Sequence, residues 1–179
     1  MLGLMQKFFR GDDAAARDAS TIYATLMRQA RSAEFYGNGR VPDTQAGRIE
    51  VLVLHLAPVM NVLATHGEQG QRLSQALFDT MKQDFDIALR EEGYSDSGVK
   101  RRIKPMVQRF YSGLMAYAKA FDTDDQEALV SEISKDLEDT PDAFISKLAS
   151  YARDLRLSLS SRSLGEIAQG QFTFPSLPT

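Results

Sequence analysis

The segment 44–65 most restricts the folds open to this chain, because it is apolar on almost every side of a helix. The apolar side chains in it are Ile49, Val51, Leu52, Val53, Leu54, Leu56, Val59, Met60, Val62 and Leu63. A helix without a polar face is normally surrounded by other helices. Pro58 lies inside the segment and is expected to kink the helix or break its hydrogen-bond ladder. We therefore predict that this segment is the central helix of a bundle.

Apolar residues recur at helical spacing on both sides of this segment. They predict helices over about residues 14–35, 70–92 and 97–121, then two shorter helices that end near residue 157 and a short turn at about 164–168. Pro105 suggests that the first turn of the 97–121 helix is a separate short piece. No segment alternates with a period of two, so no strand is predicted. The fold class is therefore all-α, a single compact helical bundle of about six helices.

The ends of the chain have a different character from this helical region of 14–157. Residues 1–13 combine Leu2, Leu4, Met5, Phe8 and Phe9 with two cations. We interpret them as a flexible or docked terminus, and a short amphipathic membrane contact is the alternative. Residues 158–179 form a C-terminal tail in which Phe172 and Phe174 are either docked or exposed. The stretch 122–142 holds nine acids and one base.

Composition excludes several classes of function. The chain of 179 residues has no cysteine, so disulfides, cysteine-zinc sites and thiol catalysis are excluded. The net charge of −3 argues against bulk affinity for nucleic acid, and no specific DNA binding is expected. We expect no apolar run to reach the roughly 20 residues that are needed to span a bilayer, and the N-terminus lacks the features of a signal peptide. We expect a cytoplasmic protein, with a peripheral contact at the inner membrane as a further option.

Three polar residues fall on predicted helices in apolar surroundings. His55 lies seven residues after Arg48, on the same flank of the central helix, and Asp84 projects from the apolar stripe of the next helix. A buried carboxylate requires a partner. We therefore predict a structural polar network of Arg48, His55 and Asp84 that fixes how the two helices pack. A catalytic His-Asp dyad is the alternative, but no activated nucleophile accompanies it.

The sequence offers no recognisable metal or catalytic motif. It has two histidines and neither H-E-x-x-H nor E-x-x-H, so zinc and di-iron sites lack their ligands. Asp79, Asp84 and Asp86 share one predicted helix, as carboxylates do in all-α prenyl-diphosphate enzymes, but their spacing gives neither D-D-x-x-D nor D-x-x-x-D. We predict no catalytic, cofactor or metal residues. A small magnesium-dependent enzyme acting on a lipidic or isoprenoid substrate remains the alternative.

A run of cations opens the predicted 97–121 helix at Lys100, Arg101, Arg102 and Lys104. Cations in a first turn oppose the helix dipole, so local stability does not explain them. They favour a binding surface for phosphates or for acidic protein segments, and a solvated helix start is the alternative. Tyr111 and Met115 lie on the same side and add the apolar contact area that protein interfaces use.

The order of several motifs resembles the ubiquinol-cytochrome c chaperone family, which are assembly factors for respiratory complex III. Over residues 19–121 these motifs are V-P-D-T, G-R-I-E and L-H at 41–55, A-L-F-D-T-M and D-F-D at 76–86, L-R-E-x-G at 89–93, V-K-R-R-I-K-P-M at 99–106 and F-Y-S-G-L-M-A-Y at 110–117. The chain departs from the family pattern at Ile49, where an aromatic residue is common, and at Pro105. The region after residue 122 lies outside the resemblance.

The resemblance implies an assembly chaperone for the cytochrome bc1 complex that binds newly made cytochrome b and catalyses nothing. Mitochondrial members work with a small partner protein and associate with the ribosome, and a bacterial member is expected here. By this analogy, a groove beside the helices at 70–92 and 97–121 would bind the client. It would include the basic run, Tyr111 and Met115, with the outward Asp79 and Asp86. A peripheral membrane adaptor that uses residues 2–9 is a third possibility.

Overall fold

The computed structural model describes the backbone of residues 2–135 and 137–178, and the side chains of residues 13–135 and 137–178. In chain order these residues form α1 (Leu2–Ala30), a 3₁₀ turn (Ala33–Phe35), α2 (Gln45–Thr65), α3 (Gly67–Glu91), α4 (Asp96–Asp122), α5 (Gln126–Ser134), α6 (Asp142–Ser160) and α7 (Leu164–Ala168). Within the described residues there is no strand, only an isolated bridge between Tyr36 and Val41. The prediction of an all-α bundle is confirmed.

Helix α2 is the centre of the bundle, as its apolar circumference predicts. It contacts α1, α3, α4 and α6. Thr44 begins the helix, because its side-chain oxygen accepts a hydrogen bond from the backbone N–H of Gly47 at 3.1 Å. Leu56, Val59 and Leu63 are fully buried on it. Every other long helix therefore packs an apolar stripe against α2 or against a helix that contacts it.

The burial of α2 bears on whether the chain spans a membrane. By length and composition α2 is the one helix among the described residues that is long and apolar enough to cross a bilayer, which corrects the expectation that no run is long enough. Of its most apolar window, 72% is buried inside the bundle. A core helix of a bundle meets the same criteria, and α2 is enclosed by its neighbours as such a helix is.

Both internal prolines lie in uninterrupted helices. Helix α2 continues through Pro58, and α4 continues through Pro105 from Asp96 to Asp122. The prediction that the first turn of α4 is a separate piece is therefore wrong, and Pro58 does not end α2; that Pro58 kinks α2 stays a prediction. The packing of several neighbouring helices against α2 outweighs the hydrogen bond that a proline removes from it.

The two ends of the chain differ from the sequence expectation in detail. Helix α1 begins at Leu2 and ends at Ala30, whereas the apolar pattern predicted a helix over about 14–35. The side chains proposed for a membrane contact, residues 2–9, lie outside those that the structure describes. At the other end the tail is docked, since Phe172 is buried and Phe174 packs against the core.

Helix α2 also allows a direct test of the core. We expect Leu56→Ala to lower the free energy of unfolding by about 2–5 kcal/mol, because Leu56 is 0% exposed and its loss leaves a cavity. The matched control is Leu157→Ala on α6, where the leucine is 55% exposed, and its effect should stay within about 0.5 kcal/mol. Urea unfolding followed by circular dichroism measures both. Equal losses in the two variants would contradict this assignment of the core.

Candidate partner-binding surface

Helix α4 carries the predicted basic run, and its packing decides which of those side chains face outward. Ser95 caps the helix by accepting a hydrogen bond from Gly98 N–H at 3.4 Å, and Asp96 in the first turn partly offsets the cations that follow. The inner face buries Val99, Phe110 and Tyr117 against the bundle. The side chains on the opposite side of α4 are therefore exposed.

Four exposed residues form one continuous face of α4, which we call the α4 face: Lys100, Lys104, Tyr111 and Met115. Viewed along the axis of α4, their directions fall within about 60° of one another, because each residue advances about 100° around an α-helix. Tyr111 is 57% exposed and Met115 is 56% exposed, so two large side chains with apolar area lie next to each other in contact with solvent. The face thus combines two cations with two large apolar groups.

The other two cations of the run point elsewhere. Arg102 is half-buried and lies over the ring of Tyr94, with its guanidinium carbon 3.7 Å from the ring centroid. Arg101 and Arg102 both line a cavity between α2, α3 and α4. The structure therefore divides the predicted run between two surfaces, with the lysines on the α4 face and the arginines beside that cavity.

The two outward carboxylates of α3 are already engaged locally. Asp86 accepts a hydrogen bond from Arg90 Nε at 2.6 Å, and Arg90 also donates to Asp96 at 2.5 Å. The hydrogen bond from Arg90 and the positive charge of Arg90 lower the pKa of the Asp96 carboxyl. Asp79 accepts a weaker hydrogen bond from the side-chain amide of Gln75 at 3.2 Å. That Asp79 and Asp86 contact a partner stays a prediction.

The predicted network of Arg48, His55 and Asp84 does not form. Arg48 pairs with Asp43 at 2.6 Å on the surface, and Asp84 accepts a hydrogen bond from the Tyr23 hydroxyl at 2.8 Å. His55 contacts neither of them. The prediction of a single network is wrong because α1 supplies the partner of Asp84, and α6 supplies the partner of His55.

His55 lies at the centre of the bundle and is fully buried. Its Nδ1 is 2.6 Å from the carbonyl oxygen of Val51, so this nitrogen carries the proton and donates it. Its Nε2 then accepts a hydrogen bond from the Tyr151 hydroxyl at 2.9 Å. Phe35 and Phe174 meet the imidazole edge-on, with centroids at 5.1 and 5.7 Å. Burial lowers the pKa of His55 to about 4, so the ring is neutral.

A buried ion pair on α2 escaped the sequence analysis. Glu50 is 8% exposed, and Arg109 of α4 donates to its Oε1 from Nη2 at 2.8 Å and from Nε at 3.2 Å. Burial raises the pKa of Glu50, and Arg109 opposes that shift. A carboxylate beside Ile49 in an otherwise apolar helix was the signal that could have found it. The pair joins α4 to α2 on the side of α4 that faces away from the α4 face.

The acidic residues considered as magnesium ligands point in different directions. Asp79 contacts Gln75, Asp84 contacts Tyr23 and Asp86 contacts Arg90. Among the residues that the structure describes, no group of three or more histidines and carboxylates could hold a metal ion.

The buried imidazole predicts a specific pH dependence of stability. Because the pKa of His55 falls from 6.5 to about 4 on folding, the unfolded chain binds the proton more strongly between these values. The free energy of unfolding therefore decreases as the pH is lowered through this window, by about 2 kcal/mol from His55 alone at pH 5. Urea titrations at pH 7.5 and pH 5 measure it.

His55→Gln should lose this component of the pH dependence, although it also lowers stability at pH 7.5. The control, His66→Gln, removes the other histidine and should keep the wild-type dependence. If wild type and His55→Gln differ by the same amount at both pH values, the buried neutral imidazole is not the cause.

Comparisons with known proteins agree with this fold and extend the sequence resemblance. The family model described as ubiquinol-cytochrome C chaperone matches residues 38–174, so the acidic stretch and α6 belong to the matched region. A crystal structure of the Cbp3 homolog from Brucella abortus is similar, with a TM-score of 0.80 and 28% identity over 97% of each chain. No curated protein matches the chain significantly.

Proposed function

Because the chain belongs to the ubiquinol-cytochrome c chaperone family, we propose that it is an assembly chaperone for the cytochrome bc1 complex and binds newly made cytochrome b. The observation that carries the proposal is the family match over residues 38–174. The similarity to the Cbp3 homolog over nearly the whole of both chains supports it. Cytochrome b is the client that the family resemblance implies.

We propose that the chaperone holds its client by surface complementarity and without turnover. The α4 face supports this, since Tyr111 and Met115 offer exposed apolar area that can adapt to a partner, while Lys100 and Lys104 attract acidic groups. Tyr111 also packs edge-on against Phe78 at 6.5 Å, so its ring is braced from one side before any client binds. A braced aromatic ring loses less conformational entropy on binding than a mobile one.

The further partners and the location follow from the same proposal. A small partner protein and the ribosome are the additional partners that the resemblance implies. Lysines on an exposed helix face are suited to ribosomal phosphates through counterion release. We place the protein in the cytoplasm, with a peripheral contact at the inner membrane where the client is inserted.

The α4 face can be tested in the native host. We expect Lys100→Glu combined with Lys104→Glu to reduce the co-purification of cytochrome b at least about threefold and to lower the level of assembled bc1 complex, because the reversed charges repel acidic groups of the client. The measurements are quantitative mass spectrometry of the tagged chaperone and reduced-minus-oxidised spectra of membranes. Tyr111→Ser combined with Met115→Ser should act in the same direction through loss of apolar contact.

Arg17→Glu combined with Lys82→Glu is the matched control, since it reverses two exposed cations on α1 and α3. It should leave both readouts unchanged. Normal bc1 levels in a strain that lacks the chaperone would overturn the proposed function as a whole. Normal levels in the α4-face variants, with loss in the deletion strain, would overturn only the choice of surface.

A further inference from the structure

Beside the α4 face lies a concave surface that the proposed function does not use. Two cavities, of about 510 and 370 Å³, adjoin each other where the C-terminal end of α3 meets the N-terminal ends of α2 and α4. They share five lining residues, which are Gln45, Ile49, Leu89, Glu92 and Met106. They therefore form one open trough, which we call the α2–α4 trough.

The floor of the trough is apolar. Leu52, Phe85 and Leu89 are almost fully buried beneath it, and Ile49 and Met106 are partly exposed along it. Met27 lines the larger cavity and Met106 lines both, and each can change rotamer to fit a contacting group. A floor of this kind accepts one apolar side of an amphipathic segment.

The charged side chains that line the trough include more cations than anions, and they differ in whether each has a partner. Five arginines and three carboxylates line it, although the whole chain has a net charge of −3. The carboxylates are all engaged: Asp43 by Arg48, Asp84 by Tyr23, and Glu92 by Gln45 at 3.4 Å.

Two of the five arginines that line the trough have no hydrogen-bonding, ion-pair or cation–π partner for their side chains among the described residues. Arg31 lies beyond the end of α1 at one part of the lining, and Arg101 lies on α4 at the other. Both are exposed, and neither side chain makes a hydrogen bond or an ion pair with the residues that the structure describes. The charged groups of the trough that lack a partner are therefore positive, and one lies at each of these two parts of the lining.

We propose that the α2–α4 trough binds an acidic amphipathic helix of a partner protein. Its apolar side lies on the floor between Ile49 and Phe85, and its carboxylates pair with Arg31 and Arg101. A flat anionic bilayer fits the observations less well, because a flat surface cannot reach a concave floor, whereas a single helix can lie along it. This surface is distinct from the α4 face, so the inference goes beyond the proposed function.

The probe is a synthetic helical peptide of about 14 residues, roughly four turns, with leucines along one side and glutamates on the other. A second peptide replaces every glutamate with lysine. We expect the wild-type protein to bind the glutamate peptide at least about tenfold more tightly than the lysine peptide in fluorescence anisotropy, and the difference should shrink at high salt.

Variants then locate the bound peptide. Arg31→Glu, Arg101→Glu and Ala46→Trp, which fills the trough from an exposed position on α2, should each weaken binding of the glutamate peptide at least about tenfold. The matched controls are Arg17→Glu and Ala24→Trp, which make the same changes at exposed positions of α1. They should bind as wild type does. Circular dichroism checks that each variant is folded.

Three outcomes would overturn the inference. The glutamate peptide does not bind saturably, the two peptides bind equally, or the trough variants bind as the controls do. Vesicles of phosphatidylglycerol and phosphatidylcholine are tested in parallel. Binding to those vesicles that is lost in Arg31→Glu and Arg101→Glu, without binding of the peptide, would assign the surface to a membrane instead.

Discussion

The structure depends on the burial of α2. A helix that is apolar on almost every side loses hydrophobic stabilisation wherever those sides face water, so it requires neighbours around most of its circumference. Helices α1, α3, α4 and α6 supply them. Each neighbour needs only one apolar stripe for this contact and keeps its opposite side for solvent or for partners. The exposed side of α4 is one consequence of this arrangement.

The same burial explains the polar contacts inside the bundle. Glu50 and His55 are the charged or titratable side chains that α2 brings into its buried part, and each is satisfied from a different helix. Arg109 reaches Glu50 from α4, and Tyr151 reaches His55 from α6. Gln29 of α1 lies 3.5 Å from the same Tyr151 hydroxyl and can donate to it. Polar contacts of this kind favour one arrangement of helices over others of similar hydrophobic burial.

The periodicity of apolar residues was sufficient to predict the helices and most of the residues of the core. It showed that Asp84 faces inward on α3 and that His55 lies on an apolar helix, because both statements concern one helix at a time. It could not identify their partners, since Tyr23 is 61 residues from Asp84 and Tyr151 is 96 residues from His55. Seven-residue spacing wrongly joined Arg48 to His55, because Asp43 at the start of α2 is closer to the guanidinium. The helices are not interrupted at the prolines for a related reason. The local free-energy cost of a proline is offset by packing against helices that are distant in the sequence.

The basic run shows why sequence proximity is a poor guide to a shared surface. Lys100 and Arg101 are adjacent in sequence but about 100° apart around α4, so one faces solvent beside Tyr111 and the other faces the trough. Helix geometry alone therefore gives α4 two sides of different chemistry. One side carries two lysines with Tyr111 and Met115, and the other faces the trough, with its apolar floor and its arginines. The proposed client-binding face and the proposed peptide-binding trough therefore lie on two sides of the same helix. The ion pair between Glu50 and Arg109 keeps that element fixed against α2.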